Sequence, residues 1–367
     1  MGLTALQASG EGLGAIRVGE YRGATTAAAF SNPQAEYAAL RHSCGVYDLG
    51  FRAKIGLTGG DRVRWLNGMV TNNIRDLAVD RGVYAFLLNP QGHILGDLYA
   101  YNCGDSLTVD TDCSQFEQIR ATFDHYIIMD DVEVANLSEQ ISALGISGSK
   151  AREIAKACGI ELSEAEPLEV FEAKCTCDCE CVRCTGVRRE DSELESYELW
   201  LSPGDVRKTW DALIEHGATP VGYEALELQR IVSGIPLYGV DIRERDLPQE
   251  TEQNRALNFN KGCYIGQEIV ERIRSRGAVH RKFTGFMAEG GGEIKPGMKI
   301  ASAEKEVGEV TSAAVLQLPG SERMIALGYI RRELALPGRE FMIGNLRALV
   351  TPLPAEAPVT ASLRHPA

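Results

Sequence analysis

Apolar positions recur at helical spacing in one part of the chain with particular clarity. Between residues 114 and 129, the side chains of Phe116, Ile119, Phe123 and Ile127 repeat every three or four positions, which is typical of one buried helix face. Similar patterns predict these further helices: 36–42, 61–67, 149–158, 224–232, and one from 202 that Gly217 ends. The segment 45–48 is expected to break the helix at 36–42.

Strand patterns occupy most of the remaining chain. Residues 83–88 and 94–101 read as a hairpin, because Asn-Pro-Gln-Gly at 89–92 between them has turn chemistry. Further strands are predicted at 54–57, 107–110, 132–134 and 140–144. After residue 282, short strands alternate with Gly and Pro turns, at 283–287, 298–300, 307–310, 325–330, 341–343 and 346–350. This texture predicts a small β-barrel.

The order of elements predicts an α+β fold, since strands and helices mix without the regular alternation of a Rossmann sheet. We expect a loosely structured lead-in at 1–35, rich in Gly, Ala and Thr, and a main region of two subdomains at 36–280. The β-barrel is expected at 281–352. Residues 353–367, rich in Pro and Ala, are expected to form a tail.

Composition narrows the class of partner. The chain has 367 residues with 51 acidic and 38 basic side chains, a formal net charge of −13, which disfavours nucleic acid as the main partner. The N-terminus lacks a basic, apolar signal, and no apolar run reaches the length of a membrane span. We therefore expect a cytoplasmic protein without membrane partners, in which the ten cysteines are mostly reduced.

The segment 261–268, Lys-Gly-Cys-Tyr-Ile-Gly-Gln-Glu, concentrates reactive groups. Positive charge from Lys261 and from downstream arginines favours the thiolate of Cys263, which would then be nucleophilic or redox-active. The alternative is a tight loop with an inert cysteine. Composition alone does not separate these two interpretations.

A second group of thiols lies at Cys175, Cys177, Cys179, Cys181 and Cys184. Such density is compatible with zinc or an iron–sulfur cluster. Only one pair has the C-x-x-C spacing, however, and thiols at alternate positions of a straight strand do not converge on one ion. We favour a thiol-rich strand over a metal site and assign no metal ligands.

The segment 261–268 resembles the signature of the YgfZ family of folate-binding proteins, which is similar in fold to the aminomethyltransferase, or T-protein, of the glycine cleavage system. The likeness extends over about residues 36–350. Other stretches that resemble this superfamily are 41–49, 66–72, 89–98, 228–239 and 248–250. The resemblance implies a T-protein-like folate-binding region of mixed sheets and helices, followed by the β-barrel.

The resemblance also implies two carboxylates in a folate site. It places Asp97 beside the reactive folate nitrogen, although Gly96 stands where those enzymes usually have a further acid. It places Glu198 at the pterin edge, where a ring N–H and an amine form two parallel donors for a carboxylate. The alternatives are a solvent-exposed acid at the turn for Asp97 and a strand residue facing water for Glu198.

Other site residues follow from the same resemblance. Arg230 corresponds to an arginine near the folate, with a surface helix residue as the alternative. Tyr84 and Asn89 are expected to line the cleft. The complete prediction is Cys263, Asp97 and Lys261 as catalytic residues, and Glu198, Arg230, Asp97, Tyr84 and Asn89 as ligands of tetrahydrofolate.

Three functions follow from these residues. The first, which the signature segment favours, is a tetrahydrofolate-binding protein that assists assembly or repair of iron–sulfur clusters, with iron–sulfur proteins as partners. The second is a folate-dependent aminomethyltransferase of the glycine cleavage type, in which Asp97 acts and Cys263 is incidental. The third is a scaffold in which folate is structural or absent. The sequence leaves open whether a reaction is catalysed, the role of Cys263 and the oligomeric state.

Overall fold

The chain divides into two compact units. The computed structural model describes residues 2–10, 12–175, 182–190, 195–277, 279–289, 292–303, 305–318 and 321–355. The first unit comprises Met1–Leu226, Glu244–Pro248 and Gln253–Ser275. The second comprises Glu227–Arg243, Gln249–Glu252 and Arg276–Ala367.

Strands outnumber helices among the described residues. The strands are β1 (Gly2–Leu3), β2 (Arg17–Tyr21), β3 (Ala24–Ala29), β4 (Gly45–Asp48), β5 (Arg52–Thr58), β6 (Arg81–Leu88), β7 (Ile94–Asn102), β8 (Leu107–Asp112), β9 (Glu133–Asn136), β10 (Ser142–Ser147), β11 (Val170–Cys175), β12 (Val182–Arg188), β13 (Ser196–Leu201), β14 (Thr219–Val221), β15 (Arg281–Glu289), β16 (Lys299–Ser302), β17 (Lys305–Leu318), β18 (Ser321–Arg331), β19 (Glu340–Ile343) and β20 (Leu346–Thr351). The α-helices are α1 (Ala5–Ala8), α2 (Pro33–His42), α3 (Arg62–Met69), α4 (Phe116–Tyr126), α5 (Ala151–Ala157), α6 (Pro203–Glu215), α7 (Tyr223–Ser233) and α8 (Gln267–Arg276). Short 3-10 helices lie at Pro248–Glu250, Asn254–Ala256 and Arg332–Leu334.

The first unit contains a five-stranded antiparallel sheet in the order β6-β7-β8-β5-β9. Alternate residues of β5, such as Ile55 and Leu57, pack in an apolar cluster with Leu66 of α3 and Phe123 of α4. Side chains of a strand alternate between faces, so one face of this sheet is covered by helices. The turn predicted at 89–92 does join β6 to β7.

A six-stranded sheet in the order β11-β12-β13-β10-β4-β14 forms a second layer of the same unit. Leu199 of β13 and Leu144 of β10 pack with Ala155 of α5 and Trp210 of α6. Strand β4, expected only to break a helix, is a buried strand that pairs with β10 and β14. Its four residues are too few to show a periodicity of their own.

The loosely structured lead-in predicted for residues 1–35 is wrong. Strands β1, β3 and β2 form a three-stranded sheet, and Ala27, Ala28 and Ala29 are buried. The hydroxyl of Thr26 donates to the carboxylate of Asp48 at 2.7 Å. Small residues that read as flexible in the sequence are here closely packed, because a distant acid supplies a partner for their hydroxyls.

The second unit contains a closed barrel in the order β15-β18-β17-β16-β19-β20. Its interior is filled by apolar side chains that include Phe286, Ile300, Val310 and Phe341. The α+β prediction with a C-terminal β-barrel is therefore confirmed. None of the described helices is long and apolar enough to cross a membrane.

Candidate functional site

The sheet faces opposite the helices are polar, although they are largely buried. On the five-stranded sheet, Ala53, Ile55, Val109 and Leu98 belong to the apolar cluster. Their strand neighbours therefore point to the other face. The side chains on that face include Arg52, Lys54, Tyr84, Asp97, Tyr99, Tyr101, Asp110 and Asp112.

The corresponding face of the six-stranded sheet carries Glu198 and Trp200, since Leu199 and Leu201 belong to its apolar cluster. The two polar faces meet inside the first unit. The rings of Tyr101 and Trp200 have centroids 5.2 Å apart, in an edge-to-face arrangement. We call these ten side chains, eight on the first sheet and Glu198 and Trp200 on the second, the polar layer. Buried charge in such a layer is unusual and calls for partners.

Asp97 lies on β7 and is half-buried in the polar layer. Its carboxylate accepts hydrogen bonds from the Tyr84 hydroxyl at 2.6 Å and from Gln115 Nε2 at 2.8 Å. Burial raises its pKa above the usual value, and the charge of Asp112 acts in the same direction. The hydrogen bonds from Tyr84 and Gln115 oppose this rise only in part. Asp97 therefore holds a proton more readily than an exposed aspartate.

Glu198 lies on β13, and only 7% of it is exposed. Trp200 Nε1 donates to its Oε2 at 3.1 Å, and Arg189 Nη1 lies 3.4 Å from its Oε1. The alternative of a strand residue facing water does not fit this burial. A carboxylate has about four acceptor positions, so Glu198 can accept further donors.

Arg52 interacts electrostatically with both Asp97 and Glu198. It forms ion pairs with Asp110 at 3.1 Å and with Asp112 at 2.5 Å. Burial lowers the pKa of Arg52, but Asp110 and Asp112 outweigh burial and raise it, and Glu198 contributes to the rise. The same guanidinium opposes the rise in the pKa of Asp97.

Lys54 and Asp110 form a buried ion pair beside Arg52. Lys54 Nζ lies 2.9 Å from Asp110 Oδ1, and neither residue is exposed. Burial raises the pKa of Asp110, but Arg52 and Lys54 outweigh it and lower the pKa overall. None of the sequence motifs points to Arg52, Lys54 or Asp110. The only signal was charge at alternate positions of β5 and β8, a pattern that also describes a face in contact with water.

Tyr84 and Asn89, both predicted to line the cleft, have different environments. The Tyr84 ring lies in the polar layer, with the Arg255 guanidinium 4.5 Å from its centroid. Burial, followed by the charge of Asp97, raises the pKa of the Tyr84 hydroxyl well above its usual value, so it stays a donor. Asn89 Oδ1 accepts from the backbone N–H groups of Gln91 and His93, each at 3.0 Å. This oxygen therefore stabilises the β6–β7 turn.

Lys261 is buried at the C-terminal end of α3. Its Nζ donates to the carbonyl oxygens of Asn67 and Val70 at 2.6 Å and of Asn72 at 2.5 Å. Only the ammonium form has three donors. Burial, with a smaller contribution from Arg75, lowers the pKa of Lys261 to about 7. The side chain joins the segment 261–268 to the end of the helix.

Cys263 is exposed in the loop before α8. The loop contacts the β6–β7 turn at Gly266, whose φ is +82° and where a Cβ would lie 2.7 Å from the Asn89 carbonyl oxygen. Only glycine fits there without strain. The loop thus has a defined conformation that presents the thiol to solvent.

The second group of cysteines is described only in part. Cys177, Cys179 and Cys181 lie outside the described residues, and for Cys175 only the backbone is described. Cys184 is buried in the apolar cluster of the six-stranded sheet. The described residues contain no group of three or more His, Cys, Asp or Glu side chains placed to hold a metal ion.

Arg230 belongs to the second unit and is 6% exposed. Its Nη1 donates to the Ile235 carbonyl and to Asp241, at 2.7 and 2.6 Å. Its Nε donates to Glu227, and its Nη2 donates to Glu227 and to Ser312. All five N–H groups have partners, so Arg230 is not the surface residue of the alternative. To bind a folate group it would have to exchange one of these partners.

The polar layer combines acceptors of two kinds. Asp97 has a raised pKa and a tyrosine donor, which suits a group that holds or moves a proton. Glu198 accepts from an indole N–H and offers further acceptor positions beside it. The layer can therefore orient a polar ligand and hold or move a proton beside it.

Comparison with known proteins gives a consistent result. A family model described as the GCVT N-terminal domain matches residues 8–261. The aminomethyltransferase of Staphylococcus haemolyticus is 26% identical over 333 residues, which cover 89% of this chain and 90% of that protein. The aminomethyltransferase of Rubrobacter xylanophilus is 27% identical over 329 residues, covering 89% and 86%.

A solved structure has the same fold. The glycine cleavage system aminomethyltransferase T from Bartonella henselae superposes with a TM-score of 0.84 at 19% identity, over 93% of this chain and 94% of that chain. The predicted relationship to the T-protein superfamily is confirmed by these matches. The narrower assignment to the YgfZ family stays a prediction.

Proposed function

Because the chain belongs to the family of the GCVT N-terminal domain, we propose that it is a folate-dependent aminomethyltransferase. The observation that carries this proposal is the pair of carboxylates in the polar layer, Asp97 and Glu198, which have different partners. The names of the curated relatives support the same reaction class. This function is the alternative of the sequence analysis, and it has more support than the iron–sulfur role.

The polar layer has features that fit a polar ring ligand. Among the described residues, Asp110 Oδ2 is buried without a hydrogen-bond partner, and buried Lys54 Nζ has none besides its ion-pair contact with Asp110 Oδ1 at 2.9 Å. Glu198 can accept the two parallel donors of a pterin edge, as the family resemblance implies. Aromatic side chains, Tyr84 and Trp200 among them, offer flat apolar surface beside these groups. The residues present therefore suit tetrahydrofolate.

The proposed roles follow from the partners of each side chain. Glu198 binds and orients the pterin, and Asp97 holds a proton near the amine that reacts. Tyr84 fixes the Asp97 carboxylate, and Arg52 limits how far its pKa rises. In the overall reaction, tetrahydrofolate and a donor X–CH2–NH3+ give methylene-tetrahydrofolate, ammonium and X–H.

Binding of tetrahydrofolate tests the proposal directly. We expect Glu198→Ala to weaken binding by about 10- to 100-fold, because it removes hydrogen bonds to a charged acceptor. A matched control is Glu224→Ala, since Glu224 is partly exposed and pairs with Arg17. Formation of methylene-tetrahydrofolate from a purified aminomethylated carrier protein tests the reaction. Absence of tetrahydrofolate binding by the wild-type chain would contradict the proposal.

The segment 261–268 supports a second candidate, a YgfZ-type folate-binding protein that assists iron–sulfur proteins. Cys263 is exposed, whereas Cys44, Cys158 and Cys184 are buried. The test is a strain that carries only Cys263→Ala. Reduced activity of iron–sulfur enzymes in that strain, with tetrahydrofolate binding intact, would support this candidate. Normal activity of those enzymes would exclude it.

A further inference from the structure

Lys54 is a buried cation in the middle of the polar layer. It lies on β5, at a position that is 0% exposed. Its Nζ is 2.9 Å from Asp110 Oδ1. Apart from Asp110, no acceptor among the described residues forms a hydrogen bond with this nitrogen. An ammonium has three N–H donors, so at least two have no acceptor among those described residues.

This arrangement is unfavourable for stability by itself. A buried charge requires both an opposite charge and hydrogen bonds for its remaining protons. Asp110 supplies the opposite charge but is shared with Arg52. The Trp200 ring, whose centroid is 4.9 Å from Lys54 Nζ, supplies a cation–π contact without accepting a directed hydrogen bond. An acceptor from outside the chain would complete the site.

Trp200 contacts both Lys54 and Glu198. The ammonium of Lys54 lies over the indole ring, and the indole Nε1 donates to Glu198 Oε2 at 3.1 Å. A cationic donor and an anionic acceptor thus contact the same side chain. The matching ligand has donors and an acceptor side by side on one planar edge. A 2-amino-4-oxo pyrimidine ring, as in a reduced pterin, has this edge: an amine and a ring N–H next to a carbonyl oxygen.

We propose that Lys54 determines specificity in the folate site by donating to the ring carbonyl oxygen, next to the donor edge that Glu198 accepts. This inference rests on the proposed function and adds to it the ligand class: 4-oxo rather than 4-amino pteridines. A 4-amino group would present N–H donors to the ammonium, and the two would repel each other.

The test compares two ligands on two proteins. Affinities for tetrahydrofolate and for its analogue with a 4-amino group in place of the carbonyl are measured on the wild type and on Lys54→Met. We expect the ratio of the two affinities to shift by about tenfold or more towards the 4-amino analogue in Lys54→Met, because a charge-assisted hydrogen bond is lost. Lys295→Met is the matched control, since Lys295 is exposed and pairs with Glu293.

A second variant controls for the destabilisation that an unbalanced buried charge could cause. Lys54→Met leaves Asp110 with Arg52 as its ion-pair partner, whereas Lys54→Met/Asp110→Asn removes both charges of the buried pair. The same shift in ratio is expected in both. An unchanged ratio in a folded variant would make Lys54 only a structural partner of Asp110, and the proposed function would stand. Failure of the wild type to bind either ligand would overturn both proposals.

Discussion

The polar layer and the segment 261–268 belong to the same unit but use charge in opposite ways. In the polar layer, charged side chains face one another. Among the described residues, Asp110 Oδ2 has no hydrogen-bond partner, and Lys54 Nζ has none besides its ion-pair contact with Asp110 Oδ1. In the segment 261–268, the ammonium of Lys261 has a carbonyl oxygen for each of its three protons. The first arrangement can receive a ligand, whereas the second is complete.

The stretch that is easiest to recognise in the sequence is therefore not the stretch that carries the candidate site. The segment 261–268 is the most distinctive stretch of the sequence, yet its buried charge anchors a loop. The polar layer has no distinctive motif, yet it contains Asp97 and Glu198. We therefore expect substitutions in the layer to change catalysis and binding, and substitutions of Lys261 to change stability.

The largest effect is expected for Asp97→Asn. Loss of a positioned proton-transfer group should lower turnover in the aminomethyl transfer assay by about 10²- to 10⁴-fold. Affinity for tetrahydrofolate should change little, because Asn keeps the shape of the side chain. Asp124→Asn, on the exposed side of α4, is the control. Unchanged turnover of Asp97→Asn would contradict the expectation that the polar layer, and not the segment 261–268, carries the chemistry.

Lys261→Met should lower the free energy of unfolding by about 2–4 kcal/mol, because two buried carbonyl oxygens and one partly buried carbonyl oxygen lose their donor. Urea denaturation measures this change. Lys299→Met is the control, since Lys299 is exposed and pairs with Glu309 at 2.8 Å. A Lys261→Met protein with wild-type stability but no activity would show that Lys261 acts in the chemistry.

The stability of Asp97→Asn should depend on pH in a defined direction. Burial and Asp112 raise the folded-state pKa of Asp97 above 3.8, so its contribution to stability is full below pH 3.8 and declines as pH rises through the folded-state pKa. Asn does not titrate. The variant should therefore be more stable than the wild type at pH 7, with a difference that shrinks as the pH falls.

Asp76→Asn provides the control of opposite sign for this pH dependence. The hydrogen bond from Arg75 is the main cause that lowers the pKa of Asp76 to about 2. Wild-type Asp76 therefore stabilises the fold above its unfolded-state pKa and loses this effect as pH falls through about 2. A shared direction for the two variants would contradict the assigned causes.

The smallest effect is expected for Cys263→Ser. The side chain is exposed, so the free energy of unfolding should change by less than about 0.5 kcal/mol. Tetrahydrofolate affinity should match that of the wild type. A clear loss of tetrahydrofolate affinity would show that the Cys263 thiol contributes to the folate site, so that the two regions would share one function.

Local sequence patterns predicted many helices and strands well. The errors occur where an element depends on contacts with residues far away along the chain. The helix predicted at 114–129 is observed at Phe116–Tyr126, and the hairpin strands lie close to their predicted bounds. Helix α8 and strand β4 were missed. The lead-in was misread because the partner of Thr26, Asp48, lies 22 residues away along the chain.

The sequence by itself determined the α+β class, the C-terminal β-barrel and the relationship to the T-protein superfamily. It also predicted Asp97, Tyr84 and Glu198, which the structure brings to the facing sheets of the polar layer. Only the tertiary structure decided that Arg52, Lys54 and Asp110 belong with them. A strand with charge at alternate positions reads as half-exposed, because its sequence does not say whether the polar face meets water or another sheet. In this chain the polar faces of two sheets meet inside the first unit, and that contact makes a candidate site of them.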